Sequence, residues 1–129
     1  MTAHTCHAHC GRTCPPRLLM CPTCWKLVPK PLGDLVYEAY NAGRRAKTHP
    51  NGAWMLAAET AIELVHLATG RRFRAIALTQ AMSYAVDVDG LSTARAFATR
   101  VLAAATGPIV AELRKAWEPL FAQVPLIST

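Results

Sequence analysis

The sequence predicts a mainly α-helical protein in which a short cysteine-rich segment precedes a bundle of about five amphipathic helices. All five cysteines lie within the first 24 of the 129 residues. Beyond residue 30, apolar residues recur at helical spacing, and no window alternates between apolar and polar residues for long enough to require a strand. Because apolar residues make up 52% of the chain and charged residues 17%, the composition can build one core and excludes intrinsic disorder.

The positive charge is concentrated in the N-terminal half of the chain. Residues 1–50 carry seven basic and two acidic side chains, and residues 51–129 carry seven and six, which gives +5 and +1. This asymmetry bears on polyanionic partners rather than on the fold. Four thiolates around one divalent ion would add about −2, so we expect a weakly basic surface.

No segment predicts a membrane span or an export signal. The longest charge-free run, residues 75–86, has twelve residues, and no other run, residues 101–111 included, exceeds eleven, whereas a spanning helix needs about 20. The first 14 residues contain no apolar h-region of the kind that secretory signals have. We therefore expect a cytoplasmic protein that does not enter a membrane.

The clustered cysteines predict a metal site, because in a reducing compartment such clusters bind metals more often than they form disulfides. Cys21 and Cys24 form a CxxC pair, whose spacing lets two sulfurs turn onto one ion. Spacing alone leaves the remaining ligands open. The candidates are Cys6 with Cys10, Cys10 with Cys14, and the nitrogens of His7 and His9.

The energetics of the first 30 residues favour structural zinc over the alternatives, which are an iron–sulfur cluster, a redox dithiol, disulfides and free thiols. Few large apolar side chains occur there, whereas ordering the backbone costs about 1–2 kcal/mol per residue. A structural zinc supplies about 10–16 kcal/mol in finger peptides. No strand-like run precedes Cys21, as a redox CxxC would require, and no acidic residue precedes Asp34 to serve a catalytic zinc. We predict a zinc knuckle over residues 1–30 and a helical domain over residues 31–129.

Several short segments of the first half carry a family resemblance. The chain reads CHA from Cys6, PPRLLMCPTCW from Pro15 and VPKPL from Val28, with tyrosines at positions 37 and 40. In these segments it resembles a group of short uncharacterised phage and prophage proteins with the motifs CHAxxC, PPxLMCxxHW and LPKxLRDxIWxxY. The resemblance covers residues 6–65, about half of the chain.

The resemblance implies a phage or prophage origin, hence an infected or lysogenic bacterial host, and a small zinc knuckle; it implies no activity. Cys24 stands where the group has histidine, which exchanges one ligand for another. Cys14 occupies a place where the group has valine or a similar residue, and is therefore taken as a spare thiol. Gly33 replaces the usual arginine. The ligand set that this favours is Cys6, Cys10, Cys21 and Cys24.

The first two helices are predicted from apolar periodicity and helix-end signals. Helix one should run over residues 31–42, with Gly43 and the cations Arg44 and Arg45 at its end. Helix two should begin after the Asn51-Gly52 turn and end at Gly70. Within it, His66 is interpreted as a partly buried or solvated helical histidine rather than a ligand. The predicted apolar face of helix two comprises Trp54, Ala58, Ala61, Ile62, Val65 and Ala68.

Three further helices follow in the second half. The stripe of helix three should include Phe73 and Ile76 and break at residues 87–90. Ser92 is the predicted N-cap of helix four. Helix five should start after residues 106–108, with Pro119 bending or ending it, and residues 124–129 should form a loose tail. The alanine-rich faces of these helices allow close helix approach and suggest self-association or a partner groove.

Two functions are compatible with these features. The first is a protein-interaction module that docks on a host or phage protein. The second is an accessory or regulatory protein that binds DNA or RNA through phosphate contacts. No Ser/His/Asp arrangement, GxxxxGK[ST] or GxGxxG motif occurs, so an enzyme is not expected. The predicted nucleic-acid contacts are Arg12, Arg17, Lys26, Lys30, Arg44, Arg45 and Lys47.

Overall fold

The computed structural model describes residues 3–15 and 18–122. Within them the chain is mainly helical, with a small N-terminal cysteine cluster followed by packed helices, as the sequence predicts. Besides five long helices, the described residues form one short helix and two short strands. The elements are β1 (His4–Thr5), β2 (Thr13–Cys14), α1 (Pro22–Trp25), α2 (Lys30–Ala46), α3 (Gly52–Thr69), α4 (Ala75–Asp89), α5 (Leu91–Ala104) and α6 (Ile109–Ala122).

The N-terminal segment is a small hairpin followed by one helical turn. Strands β1 and β2 pair antiparallel, with His4 opposite Cys14. Between them, the Cys6 N–H donates to the Arg12 carbonyl at 2.8 Å and the His9 N–H donates to the Cys6 carbonyl at 2.9 Å. His9 adopts a left-handed conformation with φ 62°, which few residues other than glycine adopt without support. The turn therefore depends on contacts that hold His9 in place.

Helix α3 is the central element of the bundle. It packs against α2, α4, α5 and α6, and its buried residues, from Leu56 to His66, occupy all sides of the helix rather than one stripe. The predicted single apolar face is therefore wrong in part: Ala68 is exposed, whereas Ala57 and Leu64 are buried. A helix surrounded by four others must be apolar on several sides.

Helix α2 is longer than predicted because Gly43 does not end it. The helix continues to Ala46, and the residue in the left-handed conformation that terminates it is Lys47, with φ 58°. Gly43 instead permits a close approach, since a Cβ there would lie 2.9 Å from the side-chain nitrogen of Asn51. Arg44 and Arg45 do lie in the last turn, where cations interact favourably with the helix carbonyls.

Three predicted details of the second half are corrected by the structure. Phe73 lies in the loop before α4, and Ile76 is 59% exposed rather than part of the buried stripe. Helix α5 begins at Leu91 after Gly90, which places Ser92 inside the first turn and not at the cap. Helix α6 continues past Pro119 to Ala122, so this proline does not end it; the predicted tail, residues 124–129, lies outside the described residues.

The N-terminal segment and the helices share one core. Met20, Cys24 and Val28 belong to the same cluster of buried side chains as Leu32 and Val65. At the far end, the Trp117 side chain is fully buried and its indole N–H donates to the Leu78 carbonyl at 2.9 Å. Among the described helices, none is both long and apolar enough to cross a membrane.

Candidate metal centre

Four cysteine sulfurs converge at the base of the hairpin. The Sγ atoms of Cys6, Cys10, Cys21 and Cys24 all lie within 4.8 Å of one another, and Cys10 Sγ is 3.4 Å from Cys21 Sγ. A tetrahedral ion with Zn–S bonds of about 2.3 Å separates its sulfur ligands by about 3.8 Å. All five cysteines are free thiols. The four therefore lie close enough to hold a metal ion.

Two local structures bring the sulfurs together. Cys6 and Cys10 bracket the turn of the hairpin, and Cys21 immediately precedes α1, whose third residue is Cys24. Backbone N–H groups point at the sulfurs: Cys21 N–H lies 3.4 Å from Cys6 Sγ, and Arg12 N–H lies 3.5 Å from Cys10 Sγ. Such donors stabilise thiolates and orient metal ligands.

The electrostatics of the cluster fit a bound cation. Hydrogen bonding from the Cys24 backbone is the main reason that the pKa of Cys21 is lowered to about 6. Burial, in contrast, raises the pKa of Cys24 to about 12. Ionisation of Cys24 beside the Cys21 thiolate is therefore unfavourable without a neighbouring cation. A divalent ion supplies the charge that lets the remaining thiols ionise.

One arginine from the helical part reaches the cluster. The Arg71 guanidinium donates to the Ala8 carbonyl at 3.1 Å and lies 3.6 Å from Cys24 Sγ. Its hydrogen bond lowers the pKa of Cys24 and so opposes the effect of burial. No local signal connects Arg71 to a cysteine 47 residues earlier.

A partly buried hydrogen-bond chain supports the turn from the other side. His9 Nδ1 lies 3.0 Å from His66 Nε2, and His66 Nδ1 lies 3.1 Å from Glu63 Oε1. Glu63 also accepts the Arg74 N–H at 2.7 Å. The sequence allowed His66 to be either partly buried or solvated; in the structure it is only 2% exposed. It anchors the left-handed His9, and the ligand-bearing turn with it, to α3.

The reserve ligands lie outside the four-sulfur group. Cys14 is buried in β2, where its Sγ lies 3.6 Å from His4 Nε2. Burial raises its pKa, which favours the thiol over the thiolate that a metal requires. His7 is exposed overall. Partial burial of its ring lowers the pKa of the imidazole, and the nearby His4 lowers it further. His9 is committed to His66.

The seven predicted nucleic-acid contacts are distributed over several places, and Arg17 lies outside the described residues. Arg12 is exposed beside the sulfur cluster, where hydrogen bonding to Cys21 raises the pKa of its guanidinium. Lys26 is exposed just after α1, and Lys30 pairs with Asp34 at 3.0 Å. Three contacts lie together at the end of α2, about 20 Å of helix away from Lys30. These three are Arg44, Arg45 and Lys47.

The comparisons with known proteins identify no relative of this chain. No protein-family model matches it, no curated protein matches it, and no solved structure matches it. The interpretation of the protein therefore depends on its own geometry.

Proposed function

We propose that this protein is a small, non-catalytic, zinc-stabilised interaction module of phage origin that docks on a host or phage protein. The observation that carries the proposal is the convergence of four sulfurs within 4.8 Å at the junction of the hairpin and the helices. The phage origin depends on the motifs of the first half. The interaction role depends on the exposed apolar groups beside the metal centre.

The nature of the ligands supports zinc in a structural role. Four thiolates satisfy the tetrahedral preference of Zn²⁺ and leave no open position for a substrate or an activated water, whereas catalytic zinc sites keep one. Three of the four cysteines are also buried. The ion would therefore hold the N-terminal segment in shape while the protein surface performs the recognition.

The surface next to this segment supports a partner protein. Tyr37 is 48% exposed, and its ring packs edge-on against Trp25 with 5.6 Å between centroids. Leu27, two residues after Trp25 in the chain, is 44% exposed. Exposed apolar and aromatic groups grouped together are typical of interaction sites. Trp25 directly follows the ligand Cys24, so the metal centre and this surface are covalently linked.

The metal part of the proposal is tested by elemental analysis of purified, reduced protein. We expect one zinc per chain in the parent and in Cys14→Ser, and a loss of stoichiometric zinc in Cys21→Ser and Cys24→Ser. A parent protein without metal that keeps its N-terminal structure in excess chelator would refute the proposal. Loss of zinc in Cys14→Ser, with retention in Cys21→Ser, would assign a different ligand set.

The interaction part is tested by affinity capture from bacterial lysate with and without nuclease. We expect a stoichiometric protein partner that survives nuclease treatment and is lost when the metal is removed. Direct binding should then be reproduced with the purified partner. A partner that disappears after nuclease treatment would instead support the alternative function.

The alternative is a nucleic-acid-binding accessory or regulatory protein, and the end of α2 favours it. Arg44, Arg45 and Lys47 are exposed, and among the described residues they have no acidic partner. We expect such binding to DNA or RNA to weaken steeply with salt. It can be measured with labelled oligonucleotides on Arg44→Gln/Arg45→Gln, with Arg114→Gln as a matched control. No binding at low salt would exclude this alternative.

A further inference from the structure

A cavity of about 390 Å³ lies between the N-terminal segment, α2 and the start of α3. Four aromatic side chains form much of its wall: Trp25, Tyr37, Tyr40 and Trp54. The volume lies in the lower part of the range of ligand-binding cavities, about 300–1,000 Å³. None of the four sulfur ligands lines the cavity, and neither do the described basic residues that the sequence singled out, although Arg44 lies against the lining residue Tyr40.

Gly33 of α2 lies directly against Trp25. A Cβ at Gly33 would lie 3.1 Å from the Trp25 ring. Without a side chain at position 33, the indole can lie directly against α2 and form one wall of the cavity. A larger side chain there would compete with the indole for the same space.

The polar groups around the cavity favour a ligand that carries negative charge next to the part inside the cavity. The lining includes the imidazoles of His4, His7 and His49 but, among the described residues, no acidic side chain. The Arg44 guanidinium lies over the Tyr40 ring at 5.7 Å from its centroid, which places a fixed positive charge beside the lining. An aromatic site for a cationic ligand would lack this arginine, because like charges repel.

The rings around the cavity are set edge to face and enclose a compact space, rather than presenting a series of parallel ring faces. Trp25 meets Tyr37 at an interplanar angle of 75°, and His49 meets Tyr40 at 84° and Trp54 at 73°. Proteins that bind single-stranded nucleic acid offer ring faces on which successive bases stack. Rings set edge to face instead enclose one compact group, as pockets for anchor side chains do at protein interfaces.

We infer that this cavity takes an aromatic side chain from a partner protein segment whose flanking residues are acidic. The inference rests on the proposed interaction function and names the chemistry of its partner. The aromatic anchor would fill the cavity, and the acidic flanks would lie near Arg44 and the imidazole N–H groups. Edge-to-face ring packing and charge complementarity would act together on one short segment.

The cavity also connects the metal to recognition. His7, Met20, Pro22 and Trp25 line it, and all four belong to the stretch that contains the four sulfur ligands. Helix α2 and the start of α3 supply the opposite wall. Metal loss should therefore remove one wall of the site even where the helices remain folded.

The test uses the zinc-loaded, ¹⁵N-labelled protein and three short unlabelled peptides. The probe peptide carries a central tryptophan between acidic residues; the others replace the tryptophan with alanine or the acidic residues with lysine. The indole N–H resonances provide the measurement, because Trp25 and Trp54 line the cavity and the fully buried Trp117 is bonded to Leu78. We expect the acidic tryptophan peptide alone to shift the Trp25 and Trp54 resonances and to leave Trp117 unchanged.

Variants locate the binding to the cavity. Tyr37→Ala should weaken the acidic tryptophan peptide about tenfold or more, and Arg44→Gln should reduce its salt dependence. Ile76→Ala is the control, since Ile76 is 59% exposed on α4 and does not line the cavity. If Tyr37→Ala perturbs the fold, Trp54→Phe provides the same comparison with a smaller change.

Three results would overturn the inference: no indole shift at millimolar peptide, equal binding of the lysine-flanked peptide, or stronger shifts of Trp25 and Trp54 with an oligonucleotide. These are distinguishable from failure of the proposed function. A zinc-loaded protein that captures a protein partner equally well with Tyr37→Ala would keep the interaction function and reject this site.

Discussion

Arg71 connects the helical bundle to the four-sulfur cluster through a single side chain. Its guanidinium donates to the carbonyl of the buried Ala8 and lies near Cys24 Sγ. We expect Arg71→Gln to lower the free energy of unfolding by about 1–3 kcal/mol, because a buried carbonyl loses its donor. We also expect zinc affinity to fall about tenfold or more, as for other groups that hydrogen-bond to metal ligands.

The neighbouring Arg72 provides the control for this prediction, since it is exposed in the same loop. Urea unfolding and chelator competition should give near-parental values for Arg72→Gln. Equal behaviour of the two variants would show that Arg71 does not support the metal centre.

Glu59 carries a charge that destabilises the folded state, whereas the guanidinium of Arg71 stabilises it. Its Oε2 is buried without a hydrogen-bond partner, and burial together with the nearby Glu63 raises its pKa above the usual 4.5. The folded state therefore holds the Glu59 proton more tightly than the unfolded state does. The ionised carboxylate is penalised above the folded-state pKa, and the penalty disappears as the pH falls below the unfolded value of 4.5.

We expect Glu59→Gln to stabilise the protein at pH 7 by roughly 1 kcal/mol, because it removes a poorly solvated charge. The advantage over the parent should shrink as the pH is lowered toward 4.5. Urea unfolding at several pH values measures both quantities. A destabilised variant, or an advantage that grows at low pH, would contradict this assignment.

Between elements, Asn51 ties α2 to α3 with the two ends of one amide. Its oxygen accepts the Trp54 N–H at 2.7 Å as the N-cap of α3, and its nitrogen donates to the Ala39 carbonyl of α2 at 3.1 Å. We expect Asn51→Ala to cost about 1–2 kcal/mol, since it removes both the cap and the cross-link. Asn51→Asp keeps the cap acceptor and should cost less. Thermal unfolding of Asn51→Ala and Asn51→Asp separates the two contributions. Equal losses of melting temperature would mean that the hydrogen bond to Ala39 contributes most and the N-cap little.

The contact between α3 and α4 depends on Gly52. A Cβ at this position would lie 2.7 Å from Ala85 Cα, and Asp89 Oδ2 accepts the Gly52 N–H at 2.9 Å. Alanine normally improves a helix by about 1 kcal/mol over glycine, but here it would push two helices apart. We expect Gly52→Ala to destabilise by about 1–3 kcal/mol.

Gly33→Ala is the comparison for Gly52→Ala, because the nearest atoms there belong to the Trp25 side chain rather than to backbone. Its cost should be smaller, since a side chain can shift more readily than a helix axis. We expect the melting temperature of Gly52→Ala to be lower than that of Gly33→Ala. A Gly52→Ala variant more stable than the parent would refute the close contact.

For the whole molecule, metal removal should separate the two parts of the fold. The helices bury large side chains of their own, including Leu56, Leu78, Leu113 and Trp117, whereas the first 30 residues contain few. In excess chelator we expect far-ultraviolet circular dichroism to stay largely helical while the Trp25 environment changes. The melting temperature should fall, because Met20 and Val28 belong to the shared core. Complete loss of helix would show instead that the bundle cannot fold without the ion.

By itself, the sequence determined the features that depend on local spacing. Cysteine pairs three or four residues apart predict a metal-binding group, and apolar periodicity with Asn51 and Gly70 as end signals predicts helices. These features need only nearby residues to form. The error at Gly43 arose because a glycine serves equally as a helix end or as a position of close packing, and only its neighbours in space decide which. Ile76 and Ser92 fit the local helical pattern, but the exposed face of α4 and the start of α5 at Leu91 were not fixed by that pattern.

Only the tertiary structure decided how distant residues meet. It placed Arg71 at Cys24, anchored His9 to His66 and grouped Trp25, Tyr37, Tyr40 and Trp54 around one cavity. It also surrounded α3 by four helices, so that a helix with a predicted stripe is buried on several sides. Each of these contacts joins segments far apart in the chain, and their formation depends on the packing of the whole core rather than on the spacing of neighbouring residues.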